Sequence, residues 1–324
     1  MATESTARES AASRQSRVPL AGIGPDQPVR GVFRMGRSFV RLSQRNDPYR
    51  IVELVDSSGA LRCYGWTAPF VHAAPIPEWS LVDVEFRSYQ YQQGVAGRLS
   101  ALAPAASPTP DDQLETLPAT LCPVPGVVGR LIKIVAEIGT PLLREFVARV
   151  LSDPVLARAF FRVPASFIDH HAWPGGTAEH SVEMASNAAR IEGLSELDRD
   201  LAIVNSLFHD IGKTETHDQG GIAFEAFKTV GHDALTLYLL AGPLRWLATQ
   251  WPTGALALRL GWVAAAEGNR FGARAMHPAA DVVRGMDRIS RASAMHRVHF
   301  PAPGGFRFLS HGRVLWSPRV PTAK

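Results

Sequence analysis

Cysteine is scarce in this chain of 324 residues: Cys63 and Cys122 are the only two, and neither stands in a Cys-x-x-Cys pair. This scarcity argues against a disulfide framework and against a zinc site built from thiolates. It suits a reducing compartment, so we expect a cytoplasmic protein.

Long hydrophobic runs are also missing, although 46% of the residues are hydrophobic and 20% are charged. The longest run, residues 255–266, contains Arg259 and is too short to cross a bilayer. The first 17 residues have no apolar core segment and do not predict a secretory signal. The composition therefore indicates a globular protein with no membrane partner.

Acidic residues are absent after Asp287, although the net charge of the whole chain is only +4. The basic side chains that follow Asp287 are Arg288, Arg291, Arg297, Arg307, Arg313, Arg319 and Lys324. Two interpretations stay open for this end of the chain. It is either a solvated, solubilising tail or a surface that binds a polyanion such as nucleic acid.

Composition and hydrophobic period divide the chain into five segments. A polar, small-residue-rich start predicts disorder, alternating patterns predict short strands, a Pro-rich stretch predicts a linker, and a period of 3.6 predicts helices. The predicted segments are 1–27 (disordered), 28–104 (strands), 105–118 (linker), 119–295 (helices) and 296–324 (basic tail, with a β-hairpin or irregular flap from Val298 to Val320).

The strand segment sets the first half of the predicted fold. About five short strands, joined by turns of Gly, Asn, Asp and Ser, are typical of the oligonucleotide/oligosaccharide-binding (OB) barrel. The helical segment is predicted to be all-α, and no internal repeat is visible. We therefore expect an α+β multidomain protein, with an N-terminal OB-fold barrel followed by an all-α domain.

Aromatic and arginine side chains in the strand segment suit the binding of single-stranded nucleic acid, because bases stack on aromatic rings and phosphates pair with guanidinium groups. Some of the aromatic side chains must instead fill the barrel core. The candidates are Phe33, Phe39, Tyr64, Trp66, Tyr89 and Tyr91, with Arg34, Arg37, Arg41, Arg62 and Arg87. We select Tyr64, Trp66, Arg62 and Arg37 as the predicted nucleic-acid-binding residues.

The helical segment contains an ordered series of metal-ligand residue types. Ser195 begins a predicted helix that reaches Phe208, and Gly212 is expected to end it, so His209 and Asp210 fall in its last turn. His180 lies on an earlier helix and Asp287 on a later one. Two imidazoles and two carboxylates suit a divalent metal such as Mn²⁺, Fe²⁺, Zn²⁺ or Co²⁺ better than Ca²⁺. Such a metal activates water and polarises a phosphoryl oxygen.

The residues around this series resemble the HD-domain superfamily of metal-dependent phosphohydrolases, and more closely the YhaM-type 3′-to-5′ exoribonucleases. Three stretches carry the resemblance, namely His170 to Ser181 with its His-His, Gly-Gly and Glu-His, Leu207 to Lys213 with His-Asp-Ile-Gly-Lys, and Lys228 to His232 with Gly-His. A weaker one, Gly268 to Ala273 and Arg284 to Ile289, leads to Asp287. The resemblance implies a barrel before an HD domain and a metal held by His180, His209, Asp210 and Asp287.

The same resemblance suggests roles for further residues, with alternatives. Lys213 either contacts substrate phosphate or is a cation at a helix end. His232 contacts substrate phosphate or acts as a general acid, and His171 or His170 does the same or is a core histidine. The family has two histidines where this chain has Ala266 and Glu267, and those histidines share a second metal with the residue matching His232. We therefore expect one metal and a damaged second site.

These patterns predict a metal-dependent phosphodiesterase, a 3′-to-5′ exonuclease of RNA or single-stranded DNA. The expected cofactor is a divalent metal, Mn²⁺ first, with Mg²⁺, Co²⁺, Fe²⁺ or Zn²⁺ as alternatives. The expected partner is a single strand of RNA or DNA, with a homo-oligomer suggested by the resemblance. Two other functions stay open: a nucleotide phosphohydrolase, and a nucleic-acid-binding HD protein of mobile-element or conjugation machinery with a reduced metal site.

Overall fold

A computed structural model describes residues 18–167, 170–267, 277–302, 304–309 and 314–318. The chain divides into two compact units, Met1–Ala119 and Thr120–Lys324. The first unit holds strands β1 to β5 and two short helices, and the second unit holds the other helices and a strand pair. No helix in the described part of the chain is long and apolar enough to span a bilayer.

The strands are β1 (Pro28–Leu42), β2 (Pro48–Val55), β3 (Ala60–Gly65), β4 (Leu81–Tyr91), β5 (Gly94–Pro104), β6 (Gly305–Phe308) and β7 (Val314–Ser317). The helices are α1 (Ala68–Val71), α2 (Pro110–Glu115), α3 (Val127–Ala136), α4 (Pro141–Ser152), α5 (Pro154–Phe160), α6 (Gly176–Ala188), α7 (Glu196–Phe208), α8 (Glu225–Thr229), α9 (His232–Leu239), α10 (Ala241–Gln250), α11 (Pro252–Glu267) and α12 (Pro278–His299). Three 3₁₀ helices span Leu20–Gly22, Ala119–Leu121 and Ile211–Glu215.

The first unit is a closed barrel with the strand order β1-β2-β3-β5-β4. All neighbouring strands are antiparallel except β3 and β5, which pair in parallel through Cys63 with Gly97 and Tyr64 with Arg98. A five-stranded closed barrel followed by a helical region confirms the predicted α+β class with an N-terminal OB-type barrel.

The long strand β1 closes the barrel by pairing with β4 along its first half and with β2 along its second half. Its register shifts between Met35 and Ser38, which is the kind of bulge that lets a strand bend from one neighbour to the next. Alternate residues of the strands point inward, so Phe33, Val52 and Val82 are fully buried. Phe33 is therefore a core residue and not a stacking residue.

Two segments predicted to lie outside the barrel are packed on it. Residues 18–27, predicted to be disordered, place Leu20 and Ile23 in the barrel core with exposed fractions of 4% and 5%. The backbone N–H of Leu20 donates to Asp56 Oδ2 over 2.9 Å. The predicted linker 105–118 contains α2, which begins with a capping box formed by Thr109 and Asp112.

Arg34 holds α2 against the barrel. Its prediction as a candidate for binding nucleic acid is wrong. Its guanidinium group is only 2% exposed and donates to the carbonyl oxygens of Gln113 over 2.7 Å, Thr116 over 3.3 Å and Trp79 over 2.9 Å. Burial lowers the pKa of Arg34 to about 10. Because three backbone carbonyl oxygens depend on this one side chain, Arg34 is a structural residue.

Helix α7 is the central helix of the second unit. Its residues from Asp200 to Phe208 are all buried. A helix that is buried on every side lies between other helices, and α7 contacts α6, α12 and α11. Ser195 caps α7 as predicted, since its hydroxyl accepts from the backbone N–H of Asp198. The helix thus leads directly into the His209-Asp210 pair at the centre of the unit.

The C-terminal end contains more regular structure than a tail. Helix α12 continues to His299, past the predicted boundary at residue 295. Strands β6 and β7 then pair in antiparallel fashion, with Phe306 opposite Trp316. This pairing confirms the predicted hairpin for the described residues of that segment.

Candidate functional site

Three helices of the second unit bring the four predicted metal ligands together. His180 comes from α6, His209 and Asp210 follow the last residue of α7, and Asp287 comes from α12. The Nε2 atom of His180 lies 3.3 Å from Asp287 Oδ1 and 3.7 Å from Asp210 Oδ2. The Nε2 atom of His209 lies 3.2 Å from Asp210 Oδ2. Side chains far apart in the sequence thus form one polar cluster.

In both His180 and His209, the contact of the Nδ1 atom with an oxygen fixes the orientation of the ring. His209 Nδ1 donates to the carbonyl oxygen of Ser206 over 2.9 Å, so Nε2 is the ring nitrogen that faces the cluster. His180 Nδ1 lies 3.0 Å from the hydroxyl oxygen of Ser290. Metal-binding histidines show this arrangement, in which one nitrogen is held by an oxygen and the other faces the metal.

The charges in the cluster suit a cation. Burial alone would raise the pKa of Asp210, but His209 and Lys213 hold it well below its usual value. Asp287 is similar, because burial is outweighed by the hydrogen bond with His180 and its pKa falls to about 2. Burial lowers the pKa of His180, so its imidazole is neutral at neutral pH. Two carboxylates are therefore ionised beside a neutral imidazole, as metal ligation requires.

The buried donor atoms fit a divalent cation. The Nε2 atoms of His180 and His209 are shielded from solvent, and each lies within 3.3 Å of a carboxylate oxygen, that of Asp287 for His180 and that of Asp210 for His209. One group of ligand atoms lying within 4.8 Å of one another comprises His180, His209 and Asp210, and a second comprises His170, His180 and Asp287. His180 is common to both groups.

Two glycines allow the backbone to pack closely around the cluster. A side chain at Gly176 would overlap the carbonyl oxygen of His171, and one at Gly212 would overlap the carbonyl oxygen of His232. Gly212 was expected to end α7, but α7 ends at Phe208 and Gly212 lies inside the following 3₁₀ helix. Gly176 and Gly212 thus allow the backbone at His171 and at His232 to pack closely beside the cluster.

Lys213 and His232 both lie against Asp210. Lys213 Nζ is 2.5 Å from Asp210 Oδ2, so its ammonium group pairs with a predicted metal ligand. His232 Nε2 lies 3.3 Å from Asp210 Oδ1 and 3.3 Å from Asp233 Oδ1. The side chain of His232 is 34% exposed, compared with 12% for His209, so it borders the open side of the cluster.

His171 lies close to the cluster but faces a different carboxylate. Its ring is buried, and its Nε2 atom is 3.4 Å from Glu183 Oε2. Glu183 also lies 3.7 Å from Arg297, and its hydrogen bond with His171 is the main cause that lowers its pKa. The catalytic role predicted for His171 remains a prediction. His170, in contrast, has a ligand atom in the cluster although it was not among the predicted ligands.

The residues of the expected second site are described only in part. The backbone of Ala266 and Glu267 forms the end of α11. Their side chains and the whole of 268–276, which carry part of the family resemblance, lie outside the described residues. The prediction of a damaged second metal site therefore rests on the residue types alone.

The barrel presents an aromatic surface on β2, β3 and β4. Trp66 is 48% exposed and stacks on Tyr49 with a ring distance of 4.4 Å. Tyr64 is only 9% exposed, because it packs between Tyr49 at 6.1 Å and Tyr91 at 5.8 Å. Burial and the neighbouring Tyr91 raise the pKa of Tyr64 to about 12. Trp66 is thus open to a base, while Tyr64 mainly supports the surface beneath it.

An arginine-lined cavity lies on the same barrel. It has a volume of about 380 Å³ and is lined by Arg37, Phe39, Arg41, Ile51, Glu53 and Arg62. Ile51 also packs against Tyr64, which joins the cavity to the aromatic surface. Glu53 lies 4.0 Å from Arg62, so a single carboxylate faces three guanidinium groups. The predicted residues Arg37 and Arg62 are therefore close together, in a place suited to an anion.

Comparison with known proteins agrees with the geometry. Residues 177–292 match the HD domain. The chain is similar to the 3′-5′ exoribonuclease YhaM of Bacillus velezensis, with 25% identity over 56% of this chain and 58% of that protein. For the YhaM of Bacillus subtilis, identity is 26% over 54% of this chain and 55% of that protein. The chain thus carries an HD domain, and its match spans little more than half the length of these relatives.

Among solved structures, one match is to the second OB-fold domain of replication protein A from Methanococcus maripaludis, which is 9% identical and covers 29% of this chain and 98% of that chain. The TM-score of this match is 0.24.

Proposed function

We propose that this chain is a metal-dependent phosphodiesterase that degrades single-stranded RNA or DNA from the 3′ end. The observation that carries the proposal is the convergence of His180, His209, Asp210 and Asp287 in one cluster. In each of the two histidines, one ring nitrogen lies beside an oxygen atom outside the cluster and the other faces the carboxylates. The name shared by the relatives, 3′-5′ exoribonuclease, supports the direction of attack. The cytoplasmic location and the homo-oligomer stay predictions.

The ligand residues would hold a single divalent cation, with Mn²⁺ as the first candidate and Mg²⁺, Co²⁺, Fe²⁺ or Zn²⁺ as the others. Bound there, such a cation lowers the pKa of water and neutralises charge on a phosphoryl oxygen. The buried cluster keeps the carboxylates ionised, since Lys213 lies 2.5 Å from Asp210 and the pKa of Asp287 is about 2. The site is therefore prepared for a cation before substrate arrives.

His232 is the best-placed group for contact with the substrate. Its side chain is one-third exposed and its Nε2 atom lies 3.3 Å from Asp210 Oδ1. A protonated imidazole at this position can bind a phosphate oxygen or give a proton to the leaving oxygen. Lys213, whose side chain is 13% exposed, is more enclosed, so we assign it to Asp210 and not to the substrate.

The barrel would bind the single strand. Trp66 offers an open ring for a base, and Arg37 and Arg62 line a cavity suited to a phosphate. Neither feature is needed for a mononucleotide substrate. This favours a polynucleotide over a small nucleotide as the substrate.

A degradation experiment tests the proposal. RNA and single-stranded DNA labelled at the 5′ end are incubated with the purified chain in Mn²⁺ or in EDTA, beside bis(p-nitrophenyl) phosphate as a small diester and nucleoside mono- and triphosphates as nucleotides. Attack from the 3′ end should produce a ladder of progressively shorter labelled strands in Mn²⁺ only. Immediate release of labelled mononucleotide would mean attack from the other end, and hydrolysis of nucleotides alone would favour a nucleotide phosphohydrolase. Binding without cleavage or metal would favour the binding-protein alternative.

A further inference from the structure

His170 differs from the other buried histidines of the described residues. It is 4% exposed, and neither of its ring nitrogens has a hydrogen-bond partner. Buried polar groups in native proteins are normally partnered, so two unpartnered nitrogens on one ring require an explanation. The other buried rings all have an oxygen beside at least one nitrogen: Glu183 for His171, Ser290 for His180, and Thr216 and the carbonyl oxygen of Pro164 for His217.

The ring of His170 lies inside the metal cluster. Its centroid is 5.4 Å from that of His180, and the two rings meet edge to face. One of its nitrogens lies within 4.8 Å of ligand atoms from both His180 and Asp287. The unpartnered ring therefore places a ligand atom beside those of two of the four predicted ligands.

The backbone holds His170 firmly in this position. The hydroxyl group of Ser166 accepts from the backbone N–H of His170 over 3.0 Å and donates to its carbonyl oxygen over 2.8 Å. The next residue is fixed as well, because the carbonyl oxygen of His171 accepts from the N–H of Ala165 over 3.0 Å. A ring placed so precisely without a partner of its own is arranged for a partner that the protein chain does not supply.

Two ligand groups, His170 with His180 and Asp287, and His180 with His209 and Asp210, cannot each hold a separate ion. Both use His180, whose Nδ1 lies against the Ser290 hydroxyl group, so Nε2 is the ring nitrogen that faces the cluster. One lone pair binds one cation. The His170 group and the His209 group must therefore be two sides of a single site.

We propose that His170 is a fifth protein ligand of the one divalent cation that His180, His209, Asp210 and Asp287 hold. This inference rests on the proposed metal-dependent function and adds a residue to it. Three imidazoles and two carboxylates form a set suited to Mn²⁺, Fe²⁺, Co²⁺ or Zn²⁺ and leave one position of an octahedron open for water or a phosphoryl oxygen. In this chain His170 strengthens a single-metal site where the histidines of a second site are missing.

The test compares metal binding and stability in the full chain. His170→Phe keeps a ring and removes both nitrogens, and His170→Gln keeps a polar side chain in case the larger ring disturbs packing. His217→Gln is the matched control, since His217 is equally buried but its ring nitrogens face Thr216 and the carbonyl oxygen of Pro164. For each protein we would measure Mn²⁺ affinity by calorimetry, the visible spectrum of the Co²⁺-loaded form, and Tm in EDTA and in Mn²⁺.

Loss of His170 should weaken Mn²⁺ binding by roughly tenfold or more, because even residues behind the ligands contribute tenfold to hundredfold. The Co²⁺ spectrum should change and the rise of Tm with Mn²⁺ should shrink, while Tm in EDTA stays equal or increases. His217→Gln should lower Tm in EDTA, because it removes partnered buried nitrogens, and should alter Mn²⁺ affinity by less than about threefold.

Two outcomes contradict the inference in distinguishable ways. If the parent binds Mn²⁺ and both His170 variants bind it equally well, His170 is not a ligand and the proposed function stands. If the parent binds none of the divalent metals named above, the proposed function and the fifth ligand fail together.

Discussion

The metal centre and the barrel surface show two ways of building a site. Ligands of the metal centre come from distant parts of the chain, and two of them are buried, with exposed fractions of 0% for His180 and 3% for Asp210. The barrel surface uses neighbouring strands and leaves Trp66 48% exposed. Buried polar groups must be fully partnered, so the metal centre tolerates little change. Exposed rings and guanidinium groups act nearly independently, so the barrel surface should lose affinity in small steps.

Asp210→Asn should have the largest effect. The amide keeps the shape of the side chain but provides no charge for a cation or for Lys213, which lies 2.5 Å away. We expect cleavage of both RNA and the small diester to be abolished, measured with Mn²⁺, while RNA binding remains. The control is Asp281→Asn, an exposed carboxylate on the same helix as Asp287. Retained cleavage in Asp210→Asn would show that the site is misassigned.

The triple variant of Arg37, Arg41 and Arg62 to Ala should come second. Three phosphate contacts at roughly 1 kcal/mol each predict an RNA affinity about a hundredfold lower. The slope of log affinity against log salt should fall by about 2. Filter binding over a range of salt measures both, and hydrolysis of the small diester should be unchanged.

Arg30→Ala is the matched control for the triple variant. Arg30 is also an exposed arginine of β1, but it pairs with Glu85 on β4 over 3.2 Å. Its loss should leave the salt slope as in the parent. An equal loss of affinity in both proteins would mean that the whole barrel attracts RNA and that the cavity has no special role.

Trp66→Ala should produce a smaller loss. Stacking of a base on an aromatic ring contributes about 1–3 kcal/mol, so RNA affinity should fall roughly tenfold without a change in the salt slope. Trp66→Phe should restore part of the affinity, because it retains a ring over Tyr49. If Trp66→Ala binds RNA as the parent does, the aromatic surface is not the place where bases stack.

Arg34→Met should leave RNA affinity nearly unchanged while it destabilises the barrel. The carbonyl oxygens of Trp79, Gln113 and Thr116 lose their donor, which predicts a loss of about 3 kcal/mol in the free energy of unfolding. Urea denaturation measures this loss. Arg37→Met should give the opposite result. Because the side chain of Arg37 is exposed, its loss should lower RNA affinity and leave the free energy of unfolding unchanged.

The sequence predicted those features that depend on short-range patterns. The cap at Ser195 and the helix to Phe208 were confirmed because hydrogen bonds between near neighbours determine them. The strands of the barrel were anticipated for a similar reason, since alternation is visible within one strand. The predicted metal ligands could be selected because the residues around His209 resemble a known family.

Other features could not be predicted because they depend on contacts between distant residues. Arg34 looks like any basic side chain until Gln113, far along the chain, is placed beside it. Leu20 lies in a polar segment, and its burial depends on a barrel formed by later residues. For His170 the sequence leaves open a contact with substrate phosphate, a general acid or a core histidine, and its ring becomes a ligand candidate only beside His180 and Asp287. A buried ring without partners can be recognised only in three dimensions.

Metal content per chain is the measurement that tests the account most directly. The purified chain is loaded with Mn²⁺, passed through a desalting column and analysed for bound metal, with Asp210→Asn treated in parallel. We predict one Mn²⁺ per parent chain and almost none in the variant, because the variant lacks an ionised ligand at the centre of the cluster. No bound metal in the parent, or the same amount in both proteins, would contradict the account.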